Sequence, residues 1–238
     1  DSRWQDEALP NILQVGEHTL PLKIRRHKRA KRICLRYNPT SHEINLTLPR
    51  HTRVSDGIDF INEKCEWLIS TLEDIPSQKQ LKPGVCIWIL GERYRIKHMP
   101  DLGMPYQLRA GYLLISGKRE NFARNVEDAL KRIARQRITM LCLKYADRIG
   151  GRVARVTVRD TRSRWGSCSS TGNLSFSWRL IFAPRKVLEY VVAHEIAHLR
   201  HMNHSQRFWD LTETICPNHH TAKEWLRLHG RELYRFNA

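Results

Sequence analysis

The sequence predicts an α+β fold, with a β-rich N-terminal unit containing one helix over 1–118 and a helix-dominated unit over 119–238. Three observations lead there. Short apolar segments with period-two alternation fill the first half. Helical spacing takes over after Asn121, broken by only two strand-like runs. The 238 residues suffice for one large domain or two small ones, each with its own core.

The elements follow in order. Ile12 to Val15 and Thr19 to Arg25 flank Gly16-Glu17, a hairpin turn. Arg32 to Tyr37 and Glu43 to Leu48 are further strands, joined by Asn38-Pro39-Thr40-Ser41-His42. Ile58, Ile61, Cys65, Leu68, Ile69 and Leu72 then recur at helical spacing, with Ser55 as the expected cap. The polar stretch Ser77-Gln78-Lys79-Gln80 ends that helix. Val85 to Leu90, Glu92 to Lys97 and Tyr112 to Ser116 return to strand, with Gly91 turning the first two. Asn121 caps a long helix that reaches about Ile149 and stops at Gly150-Gly151. Val153 to Val158 is a strand, and Leu174 to Phe182 another after the turn Ser169 to Asn173. Pro184 opens a helix through Tyr190 to about Arg200. Asn203 caps the next, through Trp209 to Ile215, and His220 to His229 is the last.

Composition narrows the function classes. Hydrophobic residues make up 41 %, which suits a packed globular chain and not a disordered one. No apolar run approaches the ~20 residues of a membrane helix. The opening Asp1-Ser2-Arg3-Trp4-Gln5 carries no apolar signal core, so a cytoplasmic location is expected. It also lacks Met, which leaves room for a trimmed N-terminus. The six cysteines, Cys34, Cys65, Cys86, Cys142, Cys168 and Cys216, are dispersed and contain no C-x-x-C pair. Free thiols are expected, not a zinc ribbon or a disulfide framework.

The formal net charge is +17, which speaks of partners and not of fold. Lys23 to Arg36 holds eight Lys/Arg and no acid. Arg148, Arg152, Arg155, Arg159, Arg162 and Arg164 form a second set. Either a solvated basic face or an anionic partner accounts for them. Without interleaved aromatics, Lys23–Arg36 would give non-specific nucleic-acid attraction at most.

The chemistry concentrates at His194-Glu195-Ile196-Ala197-His198. On a helix, His194 and His198 share one face about one turn (~5.4 Å) apart. Two imidazoles so placed can reach one ion at ~2.0–2.1 Å. Glu195 then projects beside the ion, where a base takes the proton of an activated water. This H-E-x-x-H pattern is the signature of zinc peptidases. A catalytic zinc usually has three protein ligands. His201 lies ~10 Å along the helix from His194, too far to converge. His204 is preferred, because Met202-Asn203 can break the helix and fold the chain back. Glu213 and Glu224 are the acidic competitors. His219, His220 and His229 are expected at the surface or as caps.

Several stretches resemble one family. Arg164-Trp165-Gly166-Ser167-Cys168-Ser169, Arg179-Leu180-Ile181, Tyr190 to Leu199 and Asn203-His204-Ser205-Gln206-Arg207-Phe208-Trp209 are similar to the YgjP-like predicted metal-dependent hydrolases, relatives of the SprT-like and WLM zinc peptidases. Gly91-Glu92-Arg93-Tyr94 and Trp225-Leu226 also fit. The resemblance implies a zincin-like minimal metallopeptidase domain over roughly 120–230. It implies His194, His198 and His204 as ligands of Zn2+ and Glu195 as catalytic base. A strand edge would lie above the metal helix. Ser177 departs from the pattern, which has asparagine before Trp178.

The segment Arg164, Trp165, Gly166, Ser167 is the expected substrate-binding wall, its strand edge pairing with an extended peptide. The alternative there is a tight turn at Gly166 with Trp165 packed in the core. Three functions fit the pattern: a zinc metallopeptidase, a zinc hydrolase of nucleoside triphosphates or another phosphoanhydride, and a nucleic-acid-associated protease with a basic N-terminal unit. Triphosphate binding would have to use scattered Arg and Lys, since no Walker-type glycine loop is present.

Overall fold

Alternation of side chains on a pleated strand decides the first half. In β1 (Ile12–Val15), β2 (His18–Arg26), β3 (Cys34–Asn38) and β4 (Glu43–Leu48), every second residue is apolar. The computed structural model describes residues 11–38, 41, 43–73, 79–161 and 164–237. The four strands form one sheet in the order β1-β2-β4-β3, with β2 and β4 parallel and the other pairs antiparallel. Leu20, Leu22, Ile44, Leu46 and Leu48 are buried together with Ile61, Leu68 and Leu72. The other face carries Lys23, Asn45 and Arg36 in register.

The single helix expected after these strands is two, α1 (Val54–Glu63) and α2 (Cys65–Glu73). The chain leaves helical geometry at Lys64 (φ −95°, ψ 11°). Arg53, not Ser55, stands at the N-cap, because its backbone N–H donates to the Asp56 carboxylate at 3.1 Å. Gly57 lets α1 approach the sheet: a Cβ there would meet Leu48 at 2.8 Å and Leu46 at 2.9 Å. The expected ends of these elements at Pro39-Thr40, His42 and Ser77-Gln78 lie outside the described residues.

The compact units are Asp1–Ser77 and Gln78–Ala238. The sequence placed the division at 118/119 instead. The difference has a physical cause. After the short β5 (Lys79–Gln80), the strands β6 (Cys86–Ile89), β7 (Glu92–His98), β8 (Tyr106–Arg109) and β9 (Tyr112–Ile115) form a sheet in the order β6-β7-β9-β8. Its Ile87, Ile89, Ile96, Leu113 and Ile115 share one core with the helices that follow. Sequence periodicity cannot say which core a strand joins.

The long helix α3 (Phe122–Arg148) buries Val126, Leu130, Ile133, Ile138, Cys142 and Tyr145 at helical spacing. Gly150, at φ +60°, turns the chain out of it, and Gly151 N–H donates to Ala146 O at 2.8 Å. A second sheet follows: β10 (Arg155–Arg159), β11 (Gly166–Cys168) and β12 (Asn173–Ser177), in the order β10-β12-β11. Among the described residues β11 pairs with β12 alone, which makes it an edge of this sheet. The strand expected to run to Phe182 stops at Ser177. A 3-10 turn, Trp178–Phe182, replaces it, capped by Ser177 Oγ accepting from Arg179 N–H at 3.3 Å.

Three helices complete the unit: α4 (Arg185–Ala197), α5 (Gln206–Ile215) and α6 (His219–His229). α4 is buried on nearly every side, through Val187, Leu188, Val191, Val192, Ala193, Ile196 and Ala197. Beyond α6, β13 (Phe236–Asn237) returns to pair with β5. The buried Arg179 guanidinium clamps this closure, donating to Asp160 at 2.8 Å and to Phe236 O at 2.9 Å. Among the described residues all six cysteines are free, and no helix is long and apolar enough to cross a membrane.

Candidate metal centre

Helix periodicity sets the first half of the site. His194 and Glu195 lie in the last turn of α4, and His198 is the residue that caps it. The chain then turns through Arg200 to His204, and α5 begins at Gln206 with Ser205 at the N-cap position, not Asn203. This reversal brings His204 back onto α4. The ligand nitrogens of His194, His198 and His204 all lie within 4.8 Å of one another. His194 Nε2 and His204 Nε2 stand 3.1 Å apart. Phe208, fully buried one turn into α5, underlies all three rings at 4.9, 4.6 and 4.7 Å. It lies four residues after His204, a helical spacing that signals only a packed residue and not support of the histidines.

Three observations fit this group to a metal ion. Two nitrogens at ~2.05 Å from a tetrahedral ion stand ~3.3 Å apart, close to the His194–His204 separation. His198 Nδ1 is 3.0 Å from His201 O, so its other nitrogen is left to face the cluster. Burial pushes His194 down to about 3, with His198 and His204 adding to the effect, so its ring stays neutral. Burial also lowers His198. Neutral imidazole is the form that binds metal.

Glu195 is buried, at 6 % exposure. Burial raises its carboxyl to about 7, while the Arg164 charge acts the other way. Gly166, on the edge strand β11, passes directly over it. A Cβ on Gly166 would fall 2.6 Å from Glu195 Cγ and Oε1.

The remaining residues of the expected substrate wall sit around this approach. Ser167 pairs with Ser175 in the sheet. Arg164 O accepts from the Thr161 hydroxyl at 2.9 Å. Trp165 is half-buried against the C-terminal turn, 5.4 Å from the Tyr234 ring and 3.2 Å from where a Gly230 Cβ would be. Arg162 lies outside the described residues. The acidic competitors are elsewhere: Glu213 bonds to His219 and Asn218, and Glu224 pairs with Arg227 at 2.7 Å. His219, expected at the surface, is buried at 2 % exposure because Tyr190 and Trp209 enclose it.

Residues 31–229 match the family model described as YgjP-like, metallopeptidase domain. The chain belongs to the YgjP-like family. As a YgjP-like protein it is a metal-dependent hydrolase of mixed α and β structure. The crystal structure of the metallopeptidase zymogen of Pyrococcus abyssi abylysin is similar at TM-score 0.36 and 23 % identity, over 42 % of this chain and 99 % of that one. No curated protein matches the YgjP-like chain.

Proposed function

We propose that this chain is a zincin-like, zinc-dependent metallopeptidase in which His194, His198 and His204 hold the ion and Glu195 is the catalytic base. The observation that carries this is the convergence of three histidine nitrogens at the end of the helix that bears the buried Glu195 carboxylate, with Gly166 of β11 packed against that carboxylate. Three nitrogen ligands and no thiolate leave a fourth position for chemistry, unlike a closed structural site.

A bound zinc ion supplies Lewis acidity, which activates water near neutral pH and polarises a carbonyl. The protein does the rest. The edge of β11 offers backbone groups to an extended peptide, aligning its scissile bond with the cluster. Gly166 leaves the space through which Glu195 reaches that bond. Glu195, buried beside His194, is placed to accept the proton of the attacking water and release it to the leaving amine. Phe208 and Trp209 back the histidine rings with apolar surface on the protein side.

Three arginines are paired within the fold and are not left to a phosphoanhydride. Arg179 is committed to Asp160, Arg185 to Glu189, and Arg200 to the Ile149 and Gly150 carbonyls. The test is a screen of zinc-loaded protein against a peptide library and nucleoside triphosphates, with a Glu195→Gln control. Peptide cleavage lost in the control is expected. Phosphate release without peptide cleavage would overturn the peptidase assignment.

A further inference from the structure

A second group of titratable side chains packs on the same two aromatic rings as His194, and the mechanism above does not use it. Glu213, His219 and His220 bring ligand-type atoms within 4.8 Å of one another. The distances separate this group from the histidine cluster. Glu213 Oε2 accepts from His219 Nδ1 at 2.6 Å. That is well inside the ~3.3 Å between two ligands of a tetrahedral ion, and suits a strong hydrogen bond to a carboxylate. The Asn218 backbone N–H donates to the other Glu213 oxygen at 3.1 Å. Glu213 is thus an anchored acceptor, and His219 spends Nδ1 on it.

His219 Nε2 is then left over. It is buried and has no hydrogen-bond partner among the described residues. The ring lies flat against Tyr190 (5.9 Å, 16°) and Trp209 (5.5 Å, 11°), so it has little freedom to turn elsewhere. His194 carries a matching orphan: its Nδ1 is buried without a partner too. His194 also stands against Tyr190 (6.0 Å) and Trp209 (5.9 Å). A buried polar atom left unpaired is costly, and here two such atoms share one aromatic enclosure.

Their chemical needs are complementary. His194 turns Nε2 toward His204. Once that nitrogen's lone pair is given to an ion, the ring proton must sit on Nδ1. His219 donates from Nδ1 to Glu213, so its Nε2 carries a lone pair. One orphan is a donor and the other an acceptor.

We propose that His219 and Glu213 are positioning residues for His194. The His194 Nδ1–H donates to His219 Nε2, directly after a small side-chain shift or through one buried water, and Glu213 fixes the His219 tautomer. The pair orients the His194 ring and makes it a better ligand. The proposal rests on the assignment of His194, His198 and His204 as the metal ligands.

The experiment uses full-length protein, with Zn2+ affinity measured by chelator competition and Co2+ absorption spectra recorded beside it. His219→Phe keeps a ring between Tyr190 and Trp209 and removes both nitrogens. We expect it to bind Zn2+ about 10–100-fold more weakly, with a shifted Co2+ spectrum and an unchanged metal-free unfolding midpoint. His219→Gln, which can return an acceptor near the Nε2 position, should recover much of the loss. Glu213→Gln alters an exposed carboxylate, so it tests the pair even if His219→Phe fails to fold, and it should weaken Zn2+ binding as well. Wild-type affinity and spectrum in Glu213→Gln and in any folded His219→Phe would overturn the proposal. So would a second bound equivalent of Zn2+ that Glu213→Gln removes, since the group would then be a metal site itself. Failure of the underlying assignment reads differently: His194→Ala would retain a full equivalent of metal.

Discussion

Gly166 and Glu195 meet without room for a side chain between them. A Cβ on Gly166 would lie 2.6 Å from Glu195 Cγ and Oε1 and 2.9 Å from Cδ. Gly166 belongs to an edge strand and its backbone is outside the left-handed region, so the demand is steric and not conformational. Gly166→Ala should push the carboxylate aside. A displacement near 1 Å costs on the order of 10²-fold in rate, so peptide hydrolysis should fall by about that factor while metal content stays at one equivalent. Wild-type turnover in this variant would show that Glu195 is not where the chemistry happens.

Glu195→Gln removes the proposed proton acceptor and keeps the shape. General-base catalysis contributes about 10²–10⁴-fold, and the variant should lose at least that much turnover. Metal analysis of the same preparation should find the ion still bound. Loss of the ion together with activity would point to a ligand role instead.

His204 and Glu224 can be separated by metal content. His204→Ala should retain substoichiometric metal after dialysis, since it removes one of three converging nitrogens. Glu224 is engaged by Arg227 on the surface, so Glu224→Ala should hold a full equivalent. The reverse pattern would move the third ligand to α6.

Phe208 is fully buried and supports all three histidine rings. Phe208→Ala should destabilise the protein by about 3–5 kcal/mol, the usual cost of an aromatic cavity. Chemical denaturation measures it, and saturating metal should recover part of the loss. A change below 1 kcal/mol would mean that α5 does not seat on Phe208.

Glu43 provides a pH test within the first unit. The Lys23 ammonium at 2.5 Å, helped by Asn45 and Asn38, holds its carboxyl down to about 2 from 4.5. A carboxyl whose folded pKa lies below its unfolded one stabilises the fold above the unfolded value. That contribution fades as pH drops from 4.5 toward 2. Glu43→Gln should therefore cost on the order of 1 kcal/mol at pH 7, as a largely exposed partner allows, and nothing near pH 2. Urea denaturation of both proteins across that range would reveal a pH-independent difference if the pairing is wrong.

Much of the fold was legible because it is local. Alternation marked β1 to β4, and 3.6-residue spacing marked α3 and α4. The errors fell where tertiary contacts override local pattern. The break at Lys64, the 3-10 turn after Ser177 and the strand β8 leave little trace in periodicity. The site divides in the same way. His194, Glu195 and His198 sit on one helix turn and can be named from spacing, while the burial of His219 depends on residues from α4 and α5 closing around it.

The sequence by itself determined that two histidines share a helical face with a glutamate beside them, because helix geometry turns a spacing of four into adjacency. It also determined where the apolar faces lie, and its motifs carry the family. Only the tertiary structure decided what stands opposite that face. The loop after α4 folds His204 back onto it, β11 comes close enough that Gly166 must lack a side chain, and the sheet of β6 to β9 joins the core of the second unit. Each of these is a contact between residues distant in the chain. No periodicity encodes such contacts; they are fixed by which apolar surfaces can be buried against one another at the same time.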